Sequence, residues 1–412
     1  MKLKPIALFL GMSVFLQANA GVVKTEGDDI IVSTKNGGLQ LKTESGDFSF
    51  KLSGKLQWDI ASYDDLYGQD TANLANPKDG LTSYIRRGEV KVSGKAYDLW
   101  KYGLKLKTNS DDSVDLDDAI IGYTGFRPVE IAVGRWDMDF GLEDSTSSSW
   151  ITGIERPFVF NMMNGAGGND YGVKASSSAK NYTAQLALVN TGNSESNNTS
   201  KDRIGYSFRG TYVPIMNDNM LLHLGLSIFD GNPDSATVEG DTRLGIKKGQ
   251  ESTLFSSVSN VTSDREYAVE AAFQMQSFKL QGEYLQRNIK SGVANSDVKL
   301  NGYYGELSYM LGGGKRSYKK GSFSKPKGGK WEAFARYTAM NVDAQSAVSK
   351  GINGKDVDAS SYTVGANYFP TSNIRTSLNY VTGQLDNHVD IDGVANAEDK
   401  GSAIVGRIQY VF

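Results

Sequence analysis

The segment Gly88–Tyr97, GEVKVSGKAY, carries charged side chains at alternate positions. Glu89, Lys91 and Lys95 share one parity, whereas the other parity holds only small or apolar residues. Because successive side chains of a β-strand point to opposite faces, this pattern predicts a strand with one charged and one apolar face. The charged face requires water and its lysines could attract anions, while lipid or protein must cover the apolar face.

Two arginines precede this segment, and a guanidinium group suits oxyanion binding because its planar N–H groups match two oxygens at once. Arg87 shares the charged parity and is expected to face water. Arg86 has the opposite parity, and an arginine facing lipid costs ~2–4 kcal/mol at the bilayer midplane. A bulge near Gly88 would turn one side chain inward; alternatively, Arg86 lies at a strand end and extends to the interface. Anchoring of both arginines near lipid headgroups is a third interpretation.

A cluster of hydroxyl groups offers a second kind of anion ligand. Thr146, Ser147, Ser148 and Ser149 follow one another in the long connection Asp139–Pro157. Neutral hydroxyl donors can hydrogen-bond to phosphate oxygens without trapping the ion, which is the compromise that conduction requires. An ordinary serine-rich loop would have the same composition.

Composition argues against an enzyme, a metal site and a nucleic-acid partner. The chain has no cysteine and only two histidines, His223 and His388, neither of which has a serine motif nearby. Thiol and serine-triad catalysis and most zinc sites therefore lack their residues, and no catalytic residue, metal or cofactor is expected. The net charge of −3 disfavours general polyanion binding.

Alternating segments recur along the chain, and no helical period of useful length interrupts them. The clearest example places Phe48, Phe50, Leu52, Leu56, Trp58 and Ile60 opposite Lys51, Ser53, Lys55, Gln57 and Asp59, and the next places Trp100, Tyr102, Leu104 and Leu106 opposite Lys101, Lys105 and Lys107. Short and long polar connections separate these segments, as expected for periplasmic turns and external loops. With ~22–26 residues per strand and connection, the chain predicts an all-β fold, a transmembrane antiparallel β-barrel of roughly 16 strands.

The two ends of the sequence favour the same architecture. Lys2 and Lys4, an apolar run from residue 6 to 16, and the small residues of Ala18–Ala20 predict a signal peptide over residues 1–20. Residues 21–46 then form a periplasmic-side segment, and residues 47–412 form the barrel. The final segment alternates up to Phe412, an ending typical of chains that the bacterial barrel assembly machinery recognises.

Several segments resemble the phosphate- and polyphosphate-selective porin family of Gram-negative outer membranes. They include GDFSFKLSGKLQWD, YIRRGEVKVSG, the run from Asp117 to Pro157, YLQR with GYYGELSY, and the closing RIQYVF. The resemblance covers about Gly38 to Phe412 and is most specific between Asp117 and Pro157. It implies a trimer of 16-stranded barrels, each narrowed by an inward-folded third loop and lined by arginines and lysines that conduct anions.

The resemblance also implies roles for individual residues. Arg86 and Arg87 would belong to an arginine ladder, Ser147 and Ser148 would donate hydrogen bonds to the anion, and Asp117 would balance nearby arginines. Three positions depart from the family pattern: Lys55 replaces an arginine, and Asp144 and Ser149 replace lysines. Seven cations between Lys315 and Lys330 either compensate by lining the periplasmic side of the pore or form a solvated loop near lipid headgroups.

The sequence therefore predicts an outer-membrane porin for passive diffusion of anions, most of all phosphate or related oxyanions. The predicted pore-lining residues are Lys55, Arg86, Arg87, Lys91, Asp117, Thr146, Ser147, Ser148, Lys319 and Lys320. Expected partners are small anions, outer-membrane lipid, the barrel assembly machinery and two further copies in a homotrimer. A weakly selective general-diffusion porin is the alternative, and a secreted β-rich binding protein would share the composition.

Overall fold

The computed structural model describes residues 21–34, 37–67, 80–108, 113–163, 170–190, 204–232, 236–389 and 398–412. The signal peptide predicted for residues 1–20 lies outside these ranges. Among the described residues, no helix has the length and hydropathy needed to cross a membrane.

The secondary structure consists almost entirely of strands. In chain order the strands are β1 Gly21–Val23, β2 Ile30–Ser33, β3 Leu39–Thr43, β4 Ser49–Asp65, β5 Gly80–Ala96, β6 Trp100–Thr108, β7 Val114–Tyr123, β8 Val129–Trp136, β9 Asp170–Ser178, β10 Tyr182–Asn190, β11 Ile204–Met216, β12 Met220–Gly231, β13 Ala236–Val238, β14 Asp241–Thr242, β15 Ser252–Thr253, β16 Val258–Met275, β17 Phe278–Ser291, β18 Val298–Leu311, β19 Lys315–Lys319, β20 Ser322–Lys327, β21 Trp331–Ala344, β22 Val357–Tyr368, β23 Ile374–Asp386 and β24 Glu398–Val411. Two four-residue helices, α1 Leu142–Ser145 and α2 Val159–Met162, and a 3₁₀ turn, Ile352–Gly354, complete the set within the described ranges.

Sixteen of the described strands form a closed antiparallel barrel. Each of β4 to β12 pairs with its neighbour in sequence, β12 pairs with β16, and the order continues through β17, β18, β21, β22, β23 and β24. The barrel closes where β24 returns to β4, with Ile404 opposite Ser62 and Tyr410 opposite Leu56. This closure confirms the predicted strand number and removes the unpaired edges that an open sheet would expose.

The alternation read from the sequence sets the two faces of the wall. Trp58, Val90 and Leu104 remain 41–46% exposed on the outer surface, as expected for side chains that meet lipid. Their neighbours Gln57 and Asp59 point inward and are fully buried, because polypeptide from a connection fills part of the lumen. The barrel is therefore apolar outside and polar inside.

Connections at the two ends of the barrel differ in length. At the end that holds the start of β4 and the end of β24, most connections are tight turns, such as residues 97–99 and 276–277. The opposite end carries long connections, including residues 137–169 and 232–257. One connection at the short-turn end is an exception, because residues 312–330 contain the paired strands β19 and β20.

A meander of β1, β2 and β3 extends the wall at the short-turn end. β3 pairs with the first part of β4, with Leu39 opposite Leu52, and β24 pairs with the remainder. Phe412 lies at this junction, where its backbone exchanges two hydrogen bonds with Gly54, at 2.9 and 3.0 Å. A Cβ on Gly54 would approach the Phe412 ring to 2.5 Å and the Glu89 carbonyl oxygen to 2.3 Å. Only glycine leaves room for the terminal ring on this strand.

We expect Gly54→Ala to destabilise the closed barrel by about 1–3 kcal/mol, because the added methyl group overpacks the closing junction. Gly103→Ala on β6 is the matched control, since nothing lies within 4 Å of the corresponding Cβ position. The urea midpoint of the refolded barrel measures the difference. Equal midpoints for the two variants would contradict a packing role for the Phe412 ring.

Candidate functional site

A cavity of about 950 Å³, which we call the central cavity, lies in the lumen between the wall formed by β4 to β9 and the connection that follows β8. We call residues 137–163 of this connection the inward loop. Among the described residues, ten cationic and six acidic side chains line the cavity. The cations are Lys55, Arg86, Arg87, Lys91, Lys105, Lys107, Arg156, Lys174, Lys247 and Lys248, and the acids are Glu89, Asp117, Asp118, Asp137, Asp139 and Asp144. The lining therefore carries an excess of four positive charges, although the whole chain is acidic.

Buried arginines of the opposite wall hold the inward loop in place. Arg375 donates to the carbonyl oxygens of Ile151 and Thr152, both at 2.7 Å, and Arg407 donates to that of Ile154 at 2.6 Å. Further bonds of this kind run from the wall residues Arg336 and Arg287 to Glu155 and Met162, and from Arg316 of β19 to Trp150, at 2.6–2.8 Å. A loop inside a barrel has many backbone carbonyls to satisfy, and these guanidinium groups supply the donors.

The start of the inward loop is bound by a carboxylate. Glu283 on β17 accepts the backbone N–H groups of Leu142 and Glu143, at 2.7 and 2.8 Å, and the Tyr304 hydroxyl at 2.7 Å. Apolar side chains of the loop, among them Leu142 and Phe158, are fully buried. The predicted inward-folded constriction loop is thus confirmed, and both polar and apolar contacts fix it.

A bulge in β5 directs both arginines into the lumen. The pairing with β4 runs from Gln57 opposite Arg87 to Trp58 opposite Ile85, so Arg86 is an additional residue on its strand. The bulge interrupts the alternation of inward and outward side chains at this point, so both Arg86 and Arg87 point inward and line the cavity. The sequence left three interpretations of Arg86 open, and the structure contains the bulge.

The two arginines have different partners. Arg86 forms a bidentate ion pair with Glu155 of the inward loop, at 2.7 and 2.8 Å. Arg87 donates to the Gln57 side chain at 3.0 Å, and within the described ranges it has no carboxylate partner. Among the described residues, Arg87 is therefore the arginine of the pair without a direct ion pair, whereas Arg86 is bound to the loop.

A second bulge places two carboxylates side by side. Lys105 lies opposite Asp118 and Leu106 opposite Leu116, so Asp117 is the additional residue on β7 and both aspartates point inward. Lys105 bridges Asp117 and Asp118 at 2.6 and 3.0 Å. Lys107 also contacts Asp117 at 2.6 Å, so two lysines of β6 balance this carboxylate, and the balance with arginines that the resemblance implied stays a prediction. Lys91, another predicted residue, lies 3.6 Å from Asp118.

The hydroxyl groups of the inward loop differ in accessibility. Thr146 is buried and donates to the Leu142 carbonyl at 2.8 Å, which caps α1. Ser148 is also buried and accepts a hydrogen bond of 2.5 Å from Lys55. Ser147 is exposed towards the cavity. The structure thus brings Lys55, Ser147 and Ser148 to one place and gives Thr146 a role in the loop itself.

The predicted residues Lys319 and Lys320 lie elsewhere. They are exposed at the tip of the hairpin formed by β19 and β20, beside a separate cavity of about 280 Å³. The body of this hairpin folds into the lumen from the short-turn end, where Phe323 packs against Leu142 of the inward loop and Gly321 accepts a bond of 2.8 Å from Arg209. The hairpin is neither a solvated loop throughout nor part of the central cavity.

Sequence reasoning missed several lining residues. Lys105 and Lys107 had the correct parity but no motif to single them out, whereas Lys247 and Lys248 reach the cavity from the connection between β12 and β16, where no periodicity applies. Asp144, which departs from the family pattern, is paired with Arg156 at 3.4 Å. Arg156 also donates to the Glu143 and Thr146 carbonyls, at 3.1 and 3.2 Å, so it organises this part of the loop.

Three comparisons place this barrel among known proteins. A family model described as phosphate-selective porin O and P matches residues 50–412. Porin O of Pseudomonas aeruginosa is 32% identical, over 99% of this chain and 98% of its own length. The trimer form of OmpT from Vibrio cholerae has a TM-score of 0.58 at 13% identity, covering 89% of this chain and 99% of that one. An anion-selective porin from Comamonas acidovorans has a TM-score of 0.55 at 16% identity, covering 89% and 100%. The two solved structures show a shared fold.

We expect Arg375→Lys to loosen the inward loop. Lysine has three donors in place of five, so loop carbonyls would lose partners at a cost of about 1–3 kcal/mol each. Single-channel chloride conductance should rise and become noisier. Arg265→Lys, at an exposed ion pair with Asp230, is the control; the same change in both variants would argue against pinning by Arg375.

Asp137, the first residue of the inward loop, should make the ion selectivity of the pore depend on pH. The surrounding protein, which limits hydration, and the nearby charge of Asp144 raise the pKa of Asp137 to about 7. Asp137 then binds a proton as the pH falls from 8 to 6, which removes a negative charge from the cavity and favours anions. Reversal potentials in a KCl gradient should shift accordingly in the wild type. Asp137→Asn should start at pH 8 with the higher anion preference and change less; parallel curves for the two proteins would refute this assignment.

Proposed function

Because this chain belongs to the family of phosphate-selective porins O and P, we propose that its lumen conducts phosphate and related oxyanions by passive diffusion. The protein is an outer-membrane porin: its barrel has the fold of solved porins and it is 32% identical to Porin O over almost its entire length. The choice of phosphate as the solute is the part of this proposal that requires a test.

The charge of the cavity carries the proposal. An excess of four positive charges lines the cavity in a chain whose net charge is −3, so basic residues are concentrated where a solute must pass. Narrow, protein-walled spaces focus such a field and increase the local concentration of anions. This arrangement supports anion permeation and disfavours a pore without charge preference.

An oxyanion gains more from this lining than chloride does. Arg87 offers a planar fork of N–H donors, and the Ser147 hydroxyl is exposed towards the same cavity. Directional donors of this kind match the several oxygens of phosphate, whereas a single chloride ion cannot use them all. Lys247 and Lys248 add cations that help to offset the replacement of two family lysines by Asp144 and Ser149.

Weak selectivity remains the alternative because acidic groups offset many of the cations. Lys55 pairs with Glu89 at 2.8 Å, and Lys105 and Lys107 pair with Asp117 at 2.6 Å. If these pairs persist during permeation, the lining would act as a general-diffusion pore for small hydrophilic solutes. A saturable phosphate site distinguishes the two functions.

The protein would assemble in the outer membrane with further copies of itself and with lipid. We infer a homotrimer from the trimer form of the OmpT neighbour and from the family. The exposed apolar outer face would contact outer-membrane lipid and neighbouring copies, and insertion would require the barrel assembly machinery. Members of this family are porins, and we propose that this protein acts as a channel and not as an enzyme.

Phosphate should block a steady chloride current through the reconstituted wild-type protein, with a saturable dependence on concentration. Arg87→Gln should raise the half-blocking phosphate concentration by about tenfold or more, because a hydrogen bond to a charged group contributes about 1.5–3 kcal/mol. The control is Lys299→Gln, which removes an exposed charge from β18 outside the cavity. An unblocked wild-type current with little anion preference would establish the general-diffusion alternative.

A further inference from the structure

Glu89 is a lumen-facing carboxylate that the proposed function leaves without a role. It lies two residues after Arg87 on β5, and its cross-strand neighbours are Lys55 and Lys107. Its carboxylate is 2.8 Å from the Lys55 ammonium group and lines the central cavity. A negative charge at this position works against an anion pore, so its presence requires a physical reason.

The surroundings of Glu89 resemble a site for an oxyanion. Lys55 donates both to Glu89 and to Ser148, whose hydroxyl lies 2.5 Å from the ammonium group. One oxygen of the Glu89 carboxylate therefore lies against the Lys55 ammonium group, and Ser148 contacts the same ammonium group. A cation and a hydroxyl group are ligands that would suit the oxygens of a phosphate group. An oxyanion that reached the Lys55 ammonium group would have to compete with this carboxylate.

Glu89 is held by fewer ion pairs than two other carboxylates of this lumen, Glu155 and Glu306. Glu155 is bound by Arg86 and Arg407, and Glu306 by Lys279 and Arg336, so removal of one partner leaves another. In the part of the chain that the structure describes, the Glu89 carboxylate has Lys55 as its one ion-pair partner. One contact, on a side chain with several rotatable bonds beside a cavity, can be exchanged without disturbing the wall.

We propose that Glu89 is a tethered competitor that occupies the oxyanion position on Lys55 and yields it to a permeating phosphate. This inference rests on the proposed function and adds to it the residue that sets how tightly the solute is held. Lys55 is never left without a counter-charge in this scheme, because Glu89 returns as the solute leaves. Entry then exchanges one anion for another, and release is assisted by the returning carboxylate, which meets the requirement that conduction combine binding with rapid exit.

The test is phosphate block of chloride current through the reconstituted full-length barrel. Glu89→Gln keeps the size of the side chain and removes its charge, so phosphate no longer competes for Lys55. The half-blocking phosphate concentration should fall by about tenfold, as expected for the removal of one nearby charge in a partly screened site. Blocking events should also last longer in Glu89→Gln, because nothing displaces the bound phosphate.

Two controls separate competition from a general effect of charge. Glu130→Gln removes another lumen carboxylate, which pairs with Lys101 outside the central cavity, and should leave the half-blocking concentration within twofold of the wild type. The second control is the same substitution in a Lys55→Gln background. If Glu89 acts through Lys55, Glu89→Gln should lose its effect there, as in a double-mutant cycle.

The outcomes distinguish this inference from the function on which it rests. A wild-type reversal potential without anion preference would reject the proposed function itself. With anion preference intact, a half-blocking concentration that Glu89→Gln leaves unchanged would overturn the competitor role. An equal effect of Glu89→Gln with and without Lys55 would overturn it as well, because the carboxylate would then act only through the general field.

Discussion

The structure of the lumen depends on the bonds that wall arginines donate to backbone carbonyls of the inward loop. A polypeptide segment that enters a barrel loses water around its peptide groups, and each carbonyl without a donor costs about 1–3 kcal/mol. Arg375 and Arg407 meet this requirement from adjacent strands, β23 and β24, and reach Ile151, Thr152 and Ile154. Without such donors this part of the loop would hold its position against the wall less firmly, and the cavity would lose a fixed second wall.

The pinning divides the lumen into two chemically different sides. On the pinned side, guanidinium groups are buried and their charge is used by the loop and by wall carboxylates, as in the bidentate pair of Arg407 with Asp59. On the opposite side, Arg87 and the lysines of β5 and β6 face the cavity. Arg407 and Arg87 both point into the lumen, yet Arg407 holds the loop and Arg87 faces the cavity. The difference arises because the loop packs against the wall that carries Arg407.

The alternation of inward and outward side chains along each strand explains which features of the barrel could be predicted from the sequence. A period of two places Lys55 and Gln57 inward and Trp58 outward without any tertiary information, and a closed barrel follows because an amphipathic sheet in lipid cannot keep an open edge. The Arg86–Arg87 pair broke this alternation, which left a bulge as one of three interpretations, and the structure has the bulge. The adjacent Asp117 and Asp118 break it in the same way, but the second bulge was found only in the structure.

The remainder of the site was not predictable because it depends on connections. Lys247 reaches the central cavity and Lys320 does not, although both lie in basic segments outside the barrel strands. Neither segment has a periodic pattern from which its position in the fold could be predicted. Likewise, the effect of Asp144 could not be judged from its charge alone, since Arg156 lies beside it only after the loop has folded.

The abundance of carboxylates in a cation-rich lumen has a consequence for transport. Cations that faced one another without counter-charges would repel, lower the stability of the wall and hold a multivalent anion too strongly to release it. The bulge that presents Asp117 and Asp118 gives Lys105 two partners, which keeps several lysines in one wall at a tolerable electrostatic cost. The residual excess of four positive charges is then small enough for anions to pass, and the cavity attracts them by its field while few individual groups bind them. A lining built from opposed charges is in this sense a means of conducting anions quickly, and selectivity among anions falls to the few groups, such as Arg87, that the pairing leaves available.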